Sequence, residues 1–256
     1  MVQKLGKHTP YFELVDAQSQ AGCPICRQVY KATSRYLDSI LYEAVLDPDV
    51  RAKLKAAQGF CSEHVEMLRN KPGRALGIAL IYRDIIRVLA EETDGGRFAR
   101  VGSRLSRLLR CGDSRPPLAA KLSVEQPCPA CEVGREFESN YLDLLIAYLE
   151  DEQLYNAYAQ GEGLCLPHLI GAIARVKDEE TLQRLIQPQA VRYRLMLRDL
   201  DEFIRKRDHR FRHEKYGDEG DVWLRAMNAI VGGAGMGLSA KSGGRRSFDI
   251  VDESKK

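Results

Sequence analysis

Cys23-Pro24-Ile25-Cys26, followed by Gly59-Phe60-Cys61-Ser62-Glu63-His64, recurs as Cys128-Pro129-Ala130-Cys131, followed by Gly163-Leu164-Cys165-Leu166-Pro167-His168. The first members are offset by 105 residues and the second by 104. Ten residues after each cysteine pair, Tyr36-Leu37-Asp38 recurs as Tyr141-Leu142-Asp143. Each half of the chain therefore spells C-x2-C, a spacer of 34 or 33 residues, then C-x2-H. Two such motifs in one order, with matching flanks and nearly equal spacers, point to a duplicated module.

The spacers carry helical periodicity. Val29, Leu37, Ile40, Leu41 and Val45 fall on a stripe repeating every 3.6 residues, with Arg27, Lys31, Arg35 and Asp38 elsewhere. Asp47-Pro48-Asp49 is an N-cap followed by proline in the first turn, and Gly59 is a stop for a helix over 50–58. The second spacer predicts helices over 132–148 and 150–160, ending at Gly161 and Gly163. Further helices are expected over 74–92 and 191–203. No stretch shows sustained alternation of period two, so an all-α fold is expected.

Four segments follow: a first Cys3His helical module over 1–93, an Arg-rich linker over 94–126, a second module with C-terminal helices over 127–232, and a disordered tail over 233–256. The chain has 256 residues and a formal charge of +3, too little for a strong global attraction to nucleic acid. The first 22 residues show neither an apolar signal core nor a small-residue cleavage site. The longest run without charge, 226–240, has fifteen residues, short of the roughly 20 that a bilayer requires. A cytoplasmic protein with reduced thiols is expected, and thiols clustered under reducing conditions suggest metal.

Seven cysteines cannot close a disulfide framework without a remainder. They resolve into Cys23, Cys26 and Cys61 with His64, then Cys128, Cys131 and Cys165 with His168, leaving Cys111 as a spare thiol. Within each half, a cysteine pair opening one helix and a cysteine and histidine opening the next make a Cys3His set. This is a closed ligand set for structural zinc that staples a helical hairpin. Helix N-termini favour thiolate, and Pro24 and Pro129 fit a first turn. Two zinc ions are expected. Three cysteines and a histidine can also hold an iron–sulfur cluster. A thioredoxin-type pair lacks its βαβ context, and a Cys–His nucleophile leaves the other cysteines unexplained.

Outside these sets, His209 and His213 are four apart in a basic stretch that reads as a solvated helix end. Arg97, Arg100, Arg104 and Arg107 line one side of an amphipathic segment, with Phe98, Val101, Leu105 and Leu108 on another. That side is a possible phosphate-facing surface. A closed Cys3His set offers no open position for water, so hydrolysis is not implied and no catalytic residue is assigned.

The chain resembles an uncharacterised prokaryotic family, a domain of unknown function with duplicated CPxC…GFCxxH modules. Some of its members are labelled transporter substrate-binding proteins. The resemblance runs from His8-Thr9-Pro10 through both motifs, Asp47 to Arg51 and Leu76 to Leu80. It continues to Phe203, Lys206, Asp208, His209-Arg210 and 221–230, or about residues 8–232. The Arg-rich linker and the glycine/serine tail depart from it. The resemblance implies the module and no activity. Three functions are thus open: a non-enzymatic interaction or regulatory module with a protein partner, an iron–sulfur or thiol-based redox protein, and a nucleic-acid-associated protein.

Overall fold

The computed structural model describes residues 7–93, 122–124 and 126–233. All regular structure in them is helical, as expected from the periodicity. The α-helices are α1 (Thr9–Gln18), α2 (Pro24–Glu43), α3 (Pro48–Ala56), α4 (Ser62–Arg69) and α5 (Ala75–Thr93). After the linker come α6 (Pro129–Ala147), α7 (Glu152–Gln160), α8 (Leu166–Ile173), α9 (Glu179–Arg207) and α10 (Val222–Val231), with short 3-10 turns between α9 and α10. None of the described helices is long and apolar enough to cross a membrane. Arg97, Arg100, Arg104, Arg107, Cys111 and almost all of the tail over 233–256 lie outside the described residues.

Local chemistry starts the helices where the sequence suggests. The Asp47 carboxylate accepts the backbone N–H groups of Asp49 and Val50, both at 2.9 Å, which caps α3 ahead of Pro48. Asp151 caps α7 through the Leu154 N–H at 3.3 Å. It also accepts the Tyr11 hydroxyl at 2.5 Å and the Lys7 ammonium at 3.2 Å. These donors, Tyr11 first, hold its carboxyl at about 2. Asp178 caps α9 through the Thr181 N–H at 2.8 Å.

The chain divides into two compact units, one comprising Met1–Lys31 and Arg135–Lys256, the other Ala32–Gly134. Both boundaries fall inside a helix, at α2 and at α6. In the first unit, α1 packs on α7, and α10 packs on α8 and α9. Its core is built from Tyr11, Leu14, Ile25, Leu142, Leu145, Leu149, Leu154, Tyr158, Leu164 and Leu185, all essentially fully buried. Each buried leucine or isoleucine contributes roughly 1.5–3 kcal/mol of hydrophobic stabilisation. In the second unit, α3 packs on α5, and Leu37, Ile40, Leu41, Leu54, Phe60, Leu68, Ile81, Ile85 and Ala130 form the core.

Two elements differ from expectation. Helix α1, which supplies Tyr11 and Leu14 to the core, was not foreseen, because ten residues hold too few apolar positions for a clear stripe. Helix α9 begins at Glu179, twelve residues before the expected 191, and runs through the buried Pro188. A proline normally breaks a helix by removing a hydrogen bond. Here burial of Leu185, Pro188, Gln189 and Arg192 along one face of α9 outweighs that loss.

Candidate metal centres

All eight predicted ligands fall into two tight clusters, but the clusters are not the ones the spacing suggests. Cys23 and Cys26 lie with Cys165 and His168, whereas Cys61 and His64 lie with Cys128 and Cys131. Within each cluster the ligand atoms are all within 4.8 Å of one another. Each C-x2-C pair thus meets the C-x2-H pair of the other motif, which corrects the reading of one self-contained Cys3His set per half.

Packing between distant segments accompanies the exchange. Helix α2 has 20 residues, and at about 1.5 Å per residue it carries the chain about 30 Å from Cys23. The nine-residue α3 spans about 14 Å. The chain turns at Gln58 and Gly59, with left-handed φ of 51° and 95°, before Cys61 opens α4. What lies near each cysteine pair is the body of the other long helix. Cys23 and Ile25 pack with Tyr141, Leu142 and Leu145 of α6 in the first unit. Cys128 and Ala130 pack with Leu37, Ile40 and Leu41 of α2 in the second.

The C-x2-H pairs are positioned alike. Cys61 is the N-cap of α4 and Cys165 the N-cap of α8, so each histidine falls in the first turn, facing its cysteine. The approach to Cys165 is held from α9. Gln189 donates to the Leu164 carbonyl at 3.0 Å and accepts the Leu164 N–H at 3.1 Å. Arg192 donates to the Gly161 carbonyl at 2.6 Å and to the Tyr158 carbonyl. Gly163 has φ of +81°, a conformation that favours glycine, and a Cβ there would displace Gln189 Oε1, 2.5 Å away. Neither Gln189 nor Arg192 was singled out from the sequence, because nothing in a helical stripe marks a residue that grips a distant loop.

In the first cluster, His168 Nδ1 lies 3.4 Å from Cys23 Sγ, 3.3 Å from Cys26 Sγ and 3.0 Å from Cys165 Sγ. Cys26 Sγ and Cys165 Sγ are 3.7 Å apart. In the second, His64 Nδ1 lies 3.1 Å from Cys61 Sγ, 3.6 Å from Cys128 Sγ and 3.5 Å from Cys131 Sγ, with Cys61 and Cys131 sulfurs 3.5 Å apart. Tetrahedral zinc, with bonds of about 2.3 Å to sulfur and about 2.0 Å to nitrogen, sets sulfur pairs about 3.8 Å apart and sulfur–nitrogen pairs about 3.5 Å apart. The donor atoms therefore fit one small ion per cluster.

Charge points the same way. Hydrogen bonds from the Cys23 and Cys26 thiols pull Cys165 down to about 3, while burial pushes Cys23 well up. Burial and the neighbouring thiol of Cys61 push Cys131 up to about 12. Crowded sulfurs cannot all ionise together unless a cation lies among them. Burial lowers the pKa of His64, which keeps its ring neutral with a lone pair for a ligand bond.

The surroundings of the two clusters differ. Glu138 Oε1 is 3.4 Å from His168 Nε2, on the far side of the ring from the sulfurs. This is the arrangement by which a carboxylate fixes the tautomer of a ligating histidine. Replacing Glu138 by alanine is expected to weaken metal affinity at the first centre by roughly tenfold and leave the second unchanged, as read by competition with a chromogenic chelator. The Gly233 N–H donates to Cys26 Sγ at 3.3 Å. At Gly232, with φ of +88°, a Cβ would lie 3.2 Å from Cys26 Sγ and 3.4 Å from Cys165 Sγ, so the end of α10 closes over this centre.

Of the remaining predicted features, His209 and His213 do not share a helix. Helix α9 ends at Arg207, and His209 starts a 3-10 turn with its Nδ1 3.1 Å from Asp208 Oδ1. None of the six described cysteines is in a disulfide.

The profile of a family of unknown function, DUF6062, matches residues 9–236. The chain belongs to DUF6062. An uncharacterised 23.9 kDa protein from the xynA 3′ region of Caldicellulosiruptor sp. (strain Rt8B.4) is 23% identical over 212 residues, covering 82% of this chain and 95% of its own length. No solved structure matches this DUF6062 chain.

Proposed function

We propose that this DUF6062 protein is a non-enzymatic, zinc-stapled helical module that works by binding another protein in a reducing compartment. Its metal ligands are Cys23, Cys26, Cys165 and His168 in one centre and Cys61, His64, Cys128 and Cys131 in the other. The observation that carries the reading is the pair of donor sets, with sulfur–nitrogen and sulfur–sulfur separations of 3.0–3.7 Å. That spacing suits a single tetrahedral ion. An iron–sulfur cluster, built of several iron and sulfide ions, would hold its ligands much further apart. Four protein donors leave no position for a substrate or an activated water, which favours a structural over a hydrolytic role.

Exposed apolar side chains support a protein partner. Trp223, Met227, Ile230 and Val231 recur at helical spacing on α10 and are all exposed, where an isolated surface would carry charge.

Elemental analysis and an absorbance spectrum of anaerobically purified protein test the metal. About two zinc ions per chain and a colourless solution are expected, as two closed Cys3His centres demand. Neither zinc nor iron above trace level would remove the proposal, and a brown solution rich in iron would replace it by the redox reading.

A further inference from the structure

The two centres offer the same four donors in very different exposure. In the first, Cys23 is 5% exposed, Cys165 1% and His168 8%, and Gly232 and Gly233 lie over the half-buried Cys26. In the second, His64 is buried but Cys61, Cys128 and Cys131 are all half-buried. The second centre therefore has three half-buried cysteines where the first has one. The Cys61 and Cys131 sulfurs are moreover 3.5 Å apart, in contact without backbone rearrangement.

We propose that the second centre is an oxidation site for hydrogen peroxide, at which Cys61 and Cys131 join as a disulfide while the first centre stays reduced. The inference rests on the zinc reading above. The Cys61 thiolate attacks one peroxide oxygen, the O–O bond breaks, and a sulfenic acid and hydroxide result. The Cys131 thiolate then attacks the Cys61 sulfur, the S–O bond breaks, and a second hydroxide leaves as the S–S bond forms. Two thiolates have lost two electrons in all, and one peroxide has been reduced to two hydroxides. The disulfide removes two of the four donors, so His64 and Cys128 can no longer retain the ion. The first motif's C-x2-H pair becomes tied covalently to the second motif's C-x2-C pair. A dithiol reductant with added zinc reverses the change.

The test uses the full zinc-loaded chain with a few equivalents of hydrogen peroxide. A chromogenic chelator follows released zinc, and peptide mass mapping locates disulfides. One zinc ion per chain should be released at least about tenfold faster than the other, in step with a Cys61–Cys131 disulfide. A C23S/C26S variant should release its remaining zinc at the fast rate, and a C61S/C131S variant at the slow rate. The wild-type chain alone establishes the order, so the result does not depend on the variants folding. Protein that holds no metal before peroxide is added overturns both the zinc reading and this inference. Protein that holds two ions and loses both at one rate, or loses the fast one without that disulfide, overturns the inference alone.

Discussion

A C23S/H168A double variant is expected to retain one metal ion per chain, and a C23S/H64A double variant none. Cys23 and His168 belong to one donor set although 145 positions separate them, so removing both costs a single centre. Cys23 and His64 belong to different sets although only 41 positions separate them, so removing both costs two centres. Ligand sets contained within each half predict the opposite pattern. Metal content by elemental analysis of the two purified variants, each beside its single-substitution parents, distinguishes the arrangements. The effect per site is large, because a remnant of three ligands is no longer a closed tetrahedral set. Retention of one ion by C23S/H64A and none by C23S/H168A would refute the exchanged pairing.

The second large effect is on stability. Structural zinc contributes on the order of 10 kcal/mol of apparent binding free energy, coupled to folding. A domain's net stability is only about 5–15 kcal/mol, so removing one ion is comparable with unfolding the unit that holds it. Treatment with a strong zinc chelator is expected to lower the midpoint of thermal unfolding by at least about 15 °C and to remove much of the helical circular dichroism. The reason is visible in both cores. Cys23 and Cys165 belong to the same core cluster as Ile25, Leu142 and Leu164, and Cys128 packs against the cluster that contains Leu37 and Ala130, so each centre is continuous with its core. Adding zinc back should restore both signals. A midpoint that moves by less than about 2 °C would show that the centres do not support the fold.

Several local features were legible because the physics behind them is local. Asp47, Pro48 and Gly59 mark the ends of α3 through capping and backbone preference alone. Cys61 and Cys165 open helices as their spacing to histidine implies. The long stripe through Leu37, Ile40 and Leu41 does face a core. Where tertiary packing opposes local preference, the reading stops short: α9 continues through Pro188 because that face is buried. Gln189 and Arg192 were invisible for a related reason, since their partners at Leu164, Gly161 and Tyr158 are 25 to 34 positions away.

From composition and pattern alone came the all-helical class, the eight Cys and His residues that cluster, and their division into groups of three cysteines and one histidine. Ligand type and helix periodicity are properties of short segments, and short segments carry them wherever they are placed. Which pair joins which was decided only by the tertiary structure. Each C-x2-H pair lies with the cysteine pair that opens the other long helix, across separations of 64 to 145 positions, and packing at such separations is not encoded by any local preference. The cover over the first centre is likewise tertiary, since Gly232 lies against the Cys26 and Cys165 sulfurs although 206 and 67 positions separate it from them.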